Sequence, residues 1–350
     1  MKIGILTFHC AKNYGAVLQT LALCSKLKSM GYNDLYLIDY RPQLIANDNN
    51  KKVGARINKL IFDKFVKKYL PPLTQQYTNS SEIKKNPPDM DVYIVGSDQV
   101  WNPDFWQEND FTYLLDFAGD EKIKISYAAS FGKEQIDFQK KDTEKIVELL
   151  GRFNDVSIRE KSGRKILNDK FNISAKQVLD PTYLLDEQDY RKIFNLKPTT
   201  KKNSLLCFKF SKDKSFYKFL QKIKKEKQLD IKIIDRPRFY RGLHFCPYPA
   251  PRKWIKLFLE AEYILTDSFH GLAFSIIFKK KIIILPYQIK RFTRIKELLE
   301  FLKLTDRIFM NYNDILESNN WMQNINYEEV NKALNNLRYE SSLFLESILL

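Results

Sequence analysis

The chain has 350 residues, 44% of them hydrophobic, so it can bury the core of one large or two medium domains and global disorder is excluded. Its 58 Lys and Arg against 42 Asp and Glu leave a net charge of +16, which favours acidic partners: phosphorylated substrates, anionic lipid or nucleic acid. The opening MKIGILTF is too short for a secretory leader, no apolar run reaches bilayer length, and four scattered cysteines form no C-x-x-C pair, so a soluble protein of a reducing cytoplasm is expected.

Strand-like and helix-like segments alternate from the first residue. KIGILTF is a short apolar run, and YGAVLQTLALCSKLKSMG carries helical periodicity closed by Gly31. LYLIDY follows, then the basic amphipathic segment Ala55 to Leu70, VYIVG, KISYAAS, TEKIVELLGRF, DVSIRE, SGRKILNDKF and QVLD. This βα alternation predicts a parallel sheet with helices on both faces. The polar, Pro-bearing KPTTKKNS (Lys197 to Ser204) reads as a linker, and it divides the chain into domains 1–197 and 198–350. Beyond it the alternation restarts with LLCFKF, a Lys-rich helix, IKIID, a helix near Pro251, YILTDS, GLAFSIIF, IIILPY and RIKELLEFLKL. Val330, Leu334, Leu337, Phe344 and Ile348 form an apolar stripe on a closing C-terminal helix. The fold class is therefore α/β: two doubly wound Rossmann-like domains, GT-B-like, with a C-terminal helix.

Four polar clusters follow predicted strands, at the ends where open α/β sheets place their ligands. In TDSFHGLAFSIIF, His270 stands where a strand hands over to a helix, with Ser268 as cap and the N–H groups of the first turn aimed at an anion. An imidazole titrates near neutral pH, so His270 has the profile of a general acid on an anionic substrate; a core histidine is the alternative. In DVSIREKSG, Arg159 ends a strand where a guanidinium suits a carboxylate or phosphate, or equally a pair with Glu160. FHCAKNYGAVLQ offers His9, Asn13 and Tyr14 around a βα turn. VGSDQVWNP offers Ser97, Asp98 and Gln99 as compact polar groups, with Trp101 either stacking on a sugar ring or lying in the core. Arg291 and Arg294 at a helix start oppose its dipole, which an anionic ligand would offset. RPRFYRG (Arg236 to Gly242) interleaves arginine with aromatics but lacks a surrounding nucleic-acid module, so no nucleic acid partner is expected.

In their order and spacing, KIGILTFHCAKNYGAVLQT, VYIVGSDQVWNP, ISYAASFG, VSIREKSG, VLDPTYLL, TDSFHGLAFSIIF and RIKELLEFLKLTDR resemble the polysaccharide pyruvyl transferases. The resemblance implies transfer of a pyruvyl group from phosphoenolpyruvate to two hydroxyls of one sugar, giving a cyclic ketal on a capsule, exopolysaccharide or lipid-linked glycan. It places the general acid on His270 and the phosphoenolpyruvate-binding arginine on Arg159. The second domain becomes the donor side, with Ser268, Gly271, Arg291 and Arg294, and the first the acceptor side, with His9, Asn13, Tyr14, Ser97, Asp98, Gln99 and Trp101. Better-known members carry arginine two residues before the histidine, where this chain has Ser268; Arg291 or Arg294 is the expected replacement. No metal and no cofactor is expected. Two other classes fit the same features: a glycosyltransferase with a nucleotide-sugar donor, and a non-catalytic protein that binds glycan or anionic lipid. A lipid-linked acceptor would bring the protein to the inner membrane face as a peripheral partner. Ala55 to Leu70, with Lys59, Lys64, Lys67 and Lys68 among Ile57, Leu60, Ile61, Phe65 and Val66, is the candidate contact; a core-packed helix with a solvated lysine face is the alternative.

Overall fold

The computed structural model describes residues 1–42, 45, 53–199, 201–286 and 292–349, which fall into two units. In unit 1, Met1–Leu184 with Asn335–Leu350, the strands are β1 (Ile3–Leu6), β2 (Leu35–Tyr40), β3 (Leu73–Tyr77), β4 (Val92–Val95), β5 (Ile123–Ala129), β6 (Asp155–Ile158) and β7 (Lys176–Gln177). They form one parallel sheet in the order β3-β2-β1-β4-β5-β6-β7. Its helices are α1 (Tyr14–Ser29), α2 (Val53–Tyr69), α3 (Ser80–Lys85), α4 (Lys140–Leu150) and α5 (Lys161–Phe171). Unit 2, Leu185–Leu334, begins with α6 (Glu187–Phe194) and holds β8 (Ser204–Phe208), β9 (Asp230–Ile233), β10 (His244–Phe245), β11 (Tyr263–Thr266) and β12 (Lys281–Ile284). These are also all parallel, in the order β10-β9-β8-β11-β12. With them are α7 (Lys214–Lys227), α8 (Pro251–Glu260), α9 (Phe269–Ile277), α10 (Thr293–Phe301) and α11 (Tyr312–Glu317); α12 (Tyr327–Leu349) starts in unit 2 and ends in unit 1.

The central strands IGIL, VYIV and YILT are buried along their whole length, as a parallel sheet covered on both faces requires. In β3 the sequence is LTQQY, mostly exposed, because this is an edge strand; it lacks the apolar signature and escapes a pattern search. Helix starts are fixed by side chains: Asn13 accepts from Gly15 N–H at 2.9 Å, Asp213 from Phe216 N–H at 2.8 Å, and Asp186 closes a capping box with Asp189.

The domain boundary differs from the expected 197/198. The break falls after Leu184, since α6 packs inside unit 2, where Tyr190 meets Phe274 and Phe278 edge-on at 5.1 and 5.8 Å between centroids. KPTTKKNS is thus a connection within unit 2 and not a linker. The chain then returns to unit 1 at Asn335: Ser341 Oγ accepts from Leu179 N–H at 2.9 Å, Arg338 Nε donates to Tyr183 O at 2.8 Å, and the Phe344 ring packs on Tyr127.

Candidate functional site

Each sheet has one topological switch, where successive connections leave in opposite directions: between β1 and β4 in unit 1, and between β8 and β11 in unit 2. The crevice beyond the carboxyl ends of such a strand pair is where doubly wound folds bind ligands.

In unit 1 the β1 end carries Thr7 and His9, and the β4 end Gly96, Ser97 and Asp98. A Cβ on Gly96 would lie 3.1 Å from the Thr7 Cβ, so glycine lets the two strand ends close together; Thr7 Oγ1 then donates to Ser97 O at 2.8 Å. His9, 1% exposed, places Nδ1 3.2 Å from Thr7 O and Nε2 2.9 Å from Asp39 Oδ1, to which Arg41 Nε also donates at 2.6 Å. Burial alone would raise the Asp39 pKa; the hydrogen bonds from His9 and Arg41 prevail and hold it below the ordinary carboxylate range. Arg159, at the end of β6, is enclosed by carboxylates. Nη1 donates to Asp180 Oδ2 at 2.8 Å, Nε lies 3.5 Å from Glu160 Oε2, and Nη2 4.0 Å from Asp98 Oδ1. Burial works against its charge, yet Asp180, Glu160 and Asp98 raise the guanidinium pKa above its ordinary value. Ser97 Oγ donates to the same Asp180 oxygen at 3.0 Å, and Thr182 holds the other one. The backbone is strained here: Asp98 has φ 83° and Ala128 φ 52°, the latter at a register shift in β5. Left-handed angles in non-glycine residues cost roughly 1–3 kcal/mol each and cluster at functional sites.

In unit 2 the β11 end and α9 build a turn around His270. Ser268 Oγ caps α9 by accepting from Gly271 N–H at 3.3 Å, and Ser268 N–H donates to Thr266 Oγ1 at 3.1 Å. A Cβ on Gly271 would sit 2.2 Å from Thr266 Oγ1, so only glycine permits this approach of helix to strand. His270 is 8% exposed in the first turn of α9, its ring edge-on to Phe269. Across the switch, the β8 end supplies Lys209. Its Nζ meets Asp267 Oδ2 at 2.9 Å with both side chains buried, and Asp267 Oδ1 accepts from Phe210 N–H at 2.8 Å. Lys212 follows, 3.9 Å from Asp235 Oδ1; burial lowers its pKa, with Asp235 and Asp267 opposing. Tyr217 Oη and Arg238 Nε converge on Asp235 Oδ2 at 2.5 and 3.5 Å.

The sequence-predicted residues thus separate by unit. Ser97, Asp98 and Arg159 gather in one network with Glu160 and Asp180. The pairing of Arg159 with acids, left open as an alternative, is what the structure contains. His9 is buried and braces Asp39. Asn13 is exposed at the α1 cap, Tyr14 packs its ring 5.2 Å from Phe62, and Gln99 Oε1 accepts from Asn102 Nδ2. Trp101 corrects the sugar-stacking expectation: it has no exposed surface, its indole N–H donates to Tyr113 O at 2.9 Å, and Phe131 and Phe153 pack on its ring. It is a core residue. Arg294 is half-buried with its guanidinium 5.7 Å from the Phe269 ring centroid, and Arg291 lies outside the described residues. Sequence reasoning missed Asp39, Asp180, Lys209, Lys212 and Asp267. Asp180, Lys209 and Asp267 stand at strand ends in VLDP, CFKF and LTDS, and that position was the available signal.

A family model described as polysaccharide pyruvyl transferase matches residues 13–289. The chain belongs to this family. It is therefore a transferase of the polysaccharide pyruvyl transferase type. No curated protein sequence shows significant similarity to it. Among solved structures, UGT89C1 of Arabidopsis thaliana, determined with UDP, shares 9% identity over 100% of both chains with a TM-score of 0.59. A UDP-glucosyltransferase from Polygonum tinctorium shares 10% identity, covering 97% of this chain and 94% of its own, with a TM-score of 0.54. A Listeria monocytogenes protein assigned as a UDP-N-acetylglucosamine 2-epimerase shares 11% identity, covering 95% and 91%, with a TM-score of 0.52. At these identities the likeness is one of fold, and it places the family member in the GT-B-like class of paired Rossmann-like units. Among the described residues no helix is long and apolar enough to cross a membrane.

Proposed function

We propose that the protein transfers the pyruvyl group of phosphoenolpyruvate to two hydroxyls of one sugar in a surface glycan or its lipid-linked precursor. The observation that carries this reading is His270 in the first turn of α9, at the unit 2 switch, with the Lys209–Asp267 pair on the facing strand ends.

The chemistry asks for an acid and cations. His270 protonates the methylene carbon of the enol phosphate, giving a methyl group and an oxocarbenium-like C2. One sugar hydroxyl adds to C2 and loses its proton, restoring the one that His270 gave. Phosphate leaves with the electrons of its C–O bond, the second hydroxyl closes the ketal, and its proton leaves with the phosphate. Lys209, oriented by Asp267, and Arg294 are assigned to the donor's anionic groups, which answers the replacement of the family's arginine by Ser268. Ser268 and Gly271 shape the turn that presents His270. By family resemblance Arg159 is a further donor contact, and Asp98 and Ser97 with Gln99 belong to the acceptor side.

The test incubates the protein with phosphoenolpyruvate and lipid-linked or free glycan acceptors and follows acceptor-dependent phosphate release. Release together with an acceptor heavier by one pyruvyl ketal supports the reading. Thermal stabilisation by UDP-sugars and not by phosphoenolpyruvate, with sugar transfer, would replace it with the glycosyltransferase reading that the UDP-bound neighbours suggest.

A further inference from the structure

Two of the exposed large apolar residues of unit 1, Ile57 and Leu60, lie on α2. The exposed positions of that helix are Arg56, Ile57, Leu60, Asp63, Lys64, Lys67 and Lys68, which recur every three to four residues and so form one stripe. Phe62, Phe65 and Val66 are buried on the opposite side and hold the helix to unit 1. The expected apolar set of this segment therefore splits: Phe65 and Val66 serve the core, while Ile57 at 45% and Leu60 at 60% exposure face solvent. Beside the stripe, the edge strand β3 opens with Leu73, 36% exposed, after the exposed Pro72. Between helix and strand lies a groove of about 400 Å³ whose lining includes Arg41, Lys67, Leu70, Pro72 and Leu73.

The charge on this face is one-sided. Arg56, Lys64, Lys67 and Lys68 stand against one acid, Asp63, which itself lies 3.9 Å from Arg41. Lys64 stands three residues before Lys67 and four before Lys68, spacings at which like charges disfavour a helix in water. Two aliphatic side chains ringed by four cations are too small an apolar area for a stable protein interface, which buries far more. They match a surface that is anionic at the level of the cations and apolar just beneath it.

We propose that the α2 stripe and the adjoining start of β3 dock the protein on an anionic lipid bilayer, with Ile57 and Leu60 entering the headgroup boundary and Arg56, Lys64, Lys67 and Lys68 meeting lipid phosphates. Each cation near an anionic leaflet strengthens binding by up to about fivefold, within a Debye length of the surface. A lipid-linked acceptor would then be met in two dimensions, but the surface stands or falls independently of the donor chemistry, because its readout is partition and not turnover.

The experiment sediments the full chain with vesicles of phosphatidylcholine alone and of phosphatidylcholine with phosphatidylglycerol, at low and raised salt. The expected result is binding to the anionic vesicles only, weakened by salt. Lys64→Glu/Lys67→Glu should reduce it at least tenfold at low salt, and Ile57→Ser/Leu60→Ser should remove the part that survives raised salt. All four positions are exposed, so circular dichroism should report a native fold in both variants. Equal partition to both vesicle types, partition to neither, or variants that bind like the parent would overturn the proposal. A dimer in sedimentation equilibrium that Leu60→Ser dissolves would overturn it in favour of a second copy on this face.

Discussion

His270 lies in a first turn whose cap is Ser268 and whose third residue is Gly271, and the cap is made by groups other than its ring. Replacing it tests chemistry with little disturbance of the turn. His270→Gln should lower turnover at least about 100-fold, the usual loss of an acid catalyst, with an unchanged melting temperature. Near-parental turnover would remove His270 from the reaction. Asp180 carries a different burden. It is 1% exposed and accepts from both Arg159 and Ser97 on one oxygen, so Asp180→Asn leaves a buried guanidinium short of its nearest counter-charge. A destabilisation of about 3 kcal/mol is expected in urea unfolding, at the low end for broken buried pairs because Glu160 remains 3.5 Å away. Lys280 titrates away from the site. It is buried, its Nζ donates to Leu259 O at 2.7 Å, and burial, aided by Arg191, pushes its pKa down to about 8 against the pull of Glu187 and Glu262. An unfolded lysine keeps its proton to about pH 10.4. From about pH 8 upward the unfolded chain therefore binds more protons than the folded one, and stability rises with pH. The parent should gain on Lys280→Met by roughly 1 kcal/mol per pH unit between about pH 8 and pH 10, read from urea midpoints; a constant difference would mean that the folded and unfolded lysines titrate alike.

At the scale of elements, the decisive junction is β11 to α9. Thr266 Oγ1 accepts from Ser268 N–H and occupies the space that a Gly271 side chain would need. Gly271→Ala should cost about 1–3 kcal/mol as an overpacked contact, and Thr266→Ala in the same chain should recover part of it. Additive losses in the double variant would show that the two positions do not share the strain. This junction was legible in the sequence because apolar YILT, a capping Ser and a buried helix follow one another without interruption. The unit 1 network was legible only in part. Ser97, Asp98 and Arg159 could be placed at strand ends, but Asp180 joins them through β7, a two-residue edge strand with no pattern of its own. Lys209 was hidden for a related reason: in CFKF it reads as the polar step of a strand, and only pairing of β8 with β11 brings it to Asp267. Trp101 shows the converse, since a sugar-stacking ring and a core ring look identical in one dimension until the indole N–H is found on Tyr113 O.

For the whole molecule, alternation of strands and helices foretold two parallel sheets, while the ownership of the chain's ends did not follow from it. A stripe of Val330, Leu334 and Phe344 says that a helix is buried, not against what. The structure gives Val330 and Leu334 to unit 2 and everything from Asn335 onward to unit 1. Phe344 and Leu345 are 4% and 1% exposed, and burying each side chain is worth about 1.5–3 kcal/mol. Ser341 adds its hydrogen bond to Leu179 and Arg338 its bond to Tyr183. Ending the chain after Leu334 therefore removes roughly 3–6 kcal/mol of apolar burial from unit 1, comparable with the ~5–15 kcal/mol that holds a domain folded. Hydrogen exchange on that truncated chain should accelerate in β5, β6 and 178–184, while β8, β9, β11 and β12 keep their protection, since no part of their core is lost. Protection lost in unit 2 and kept in unit 1 would reverse the assignment and return the helix to the second domain, where the sequence alone had put it.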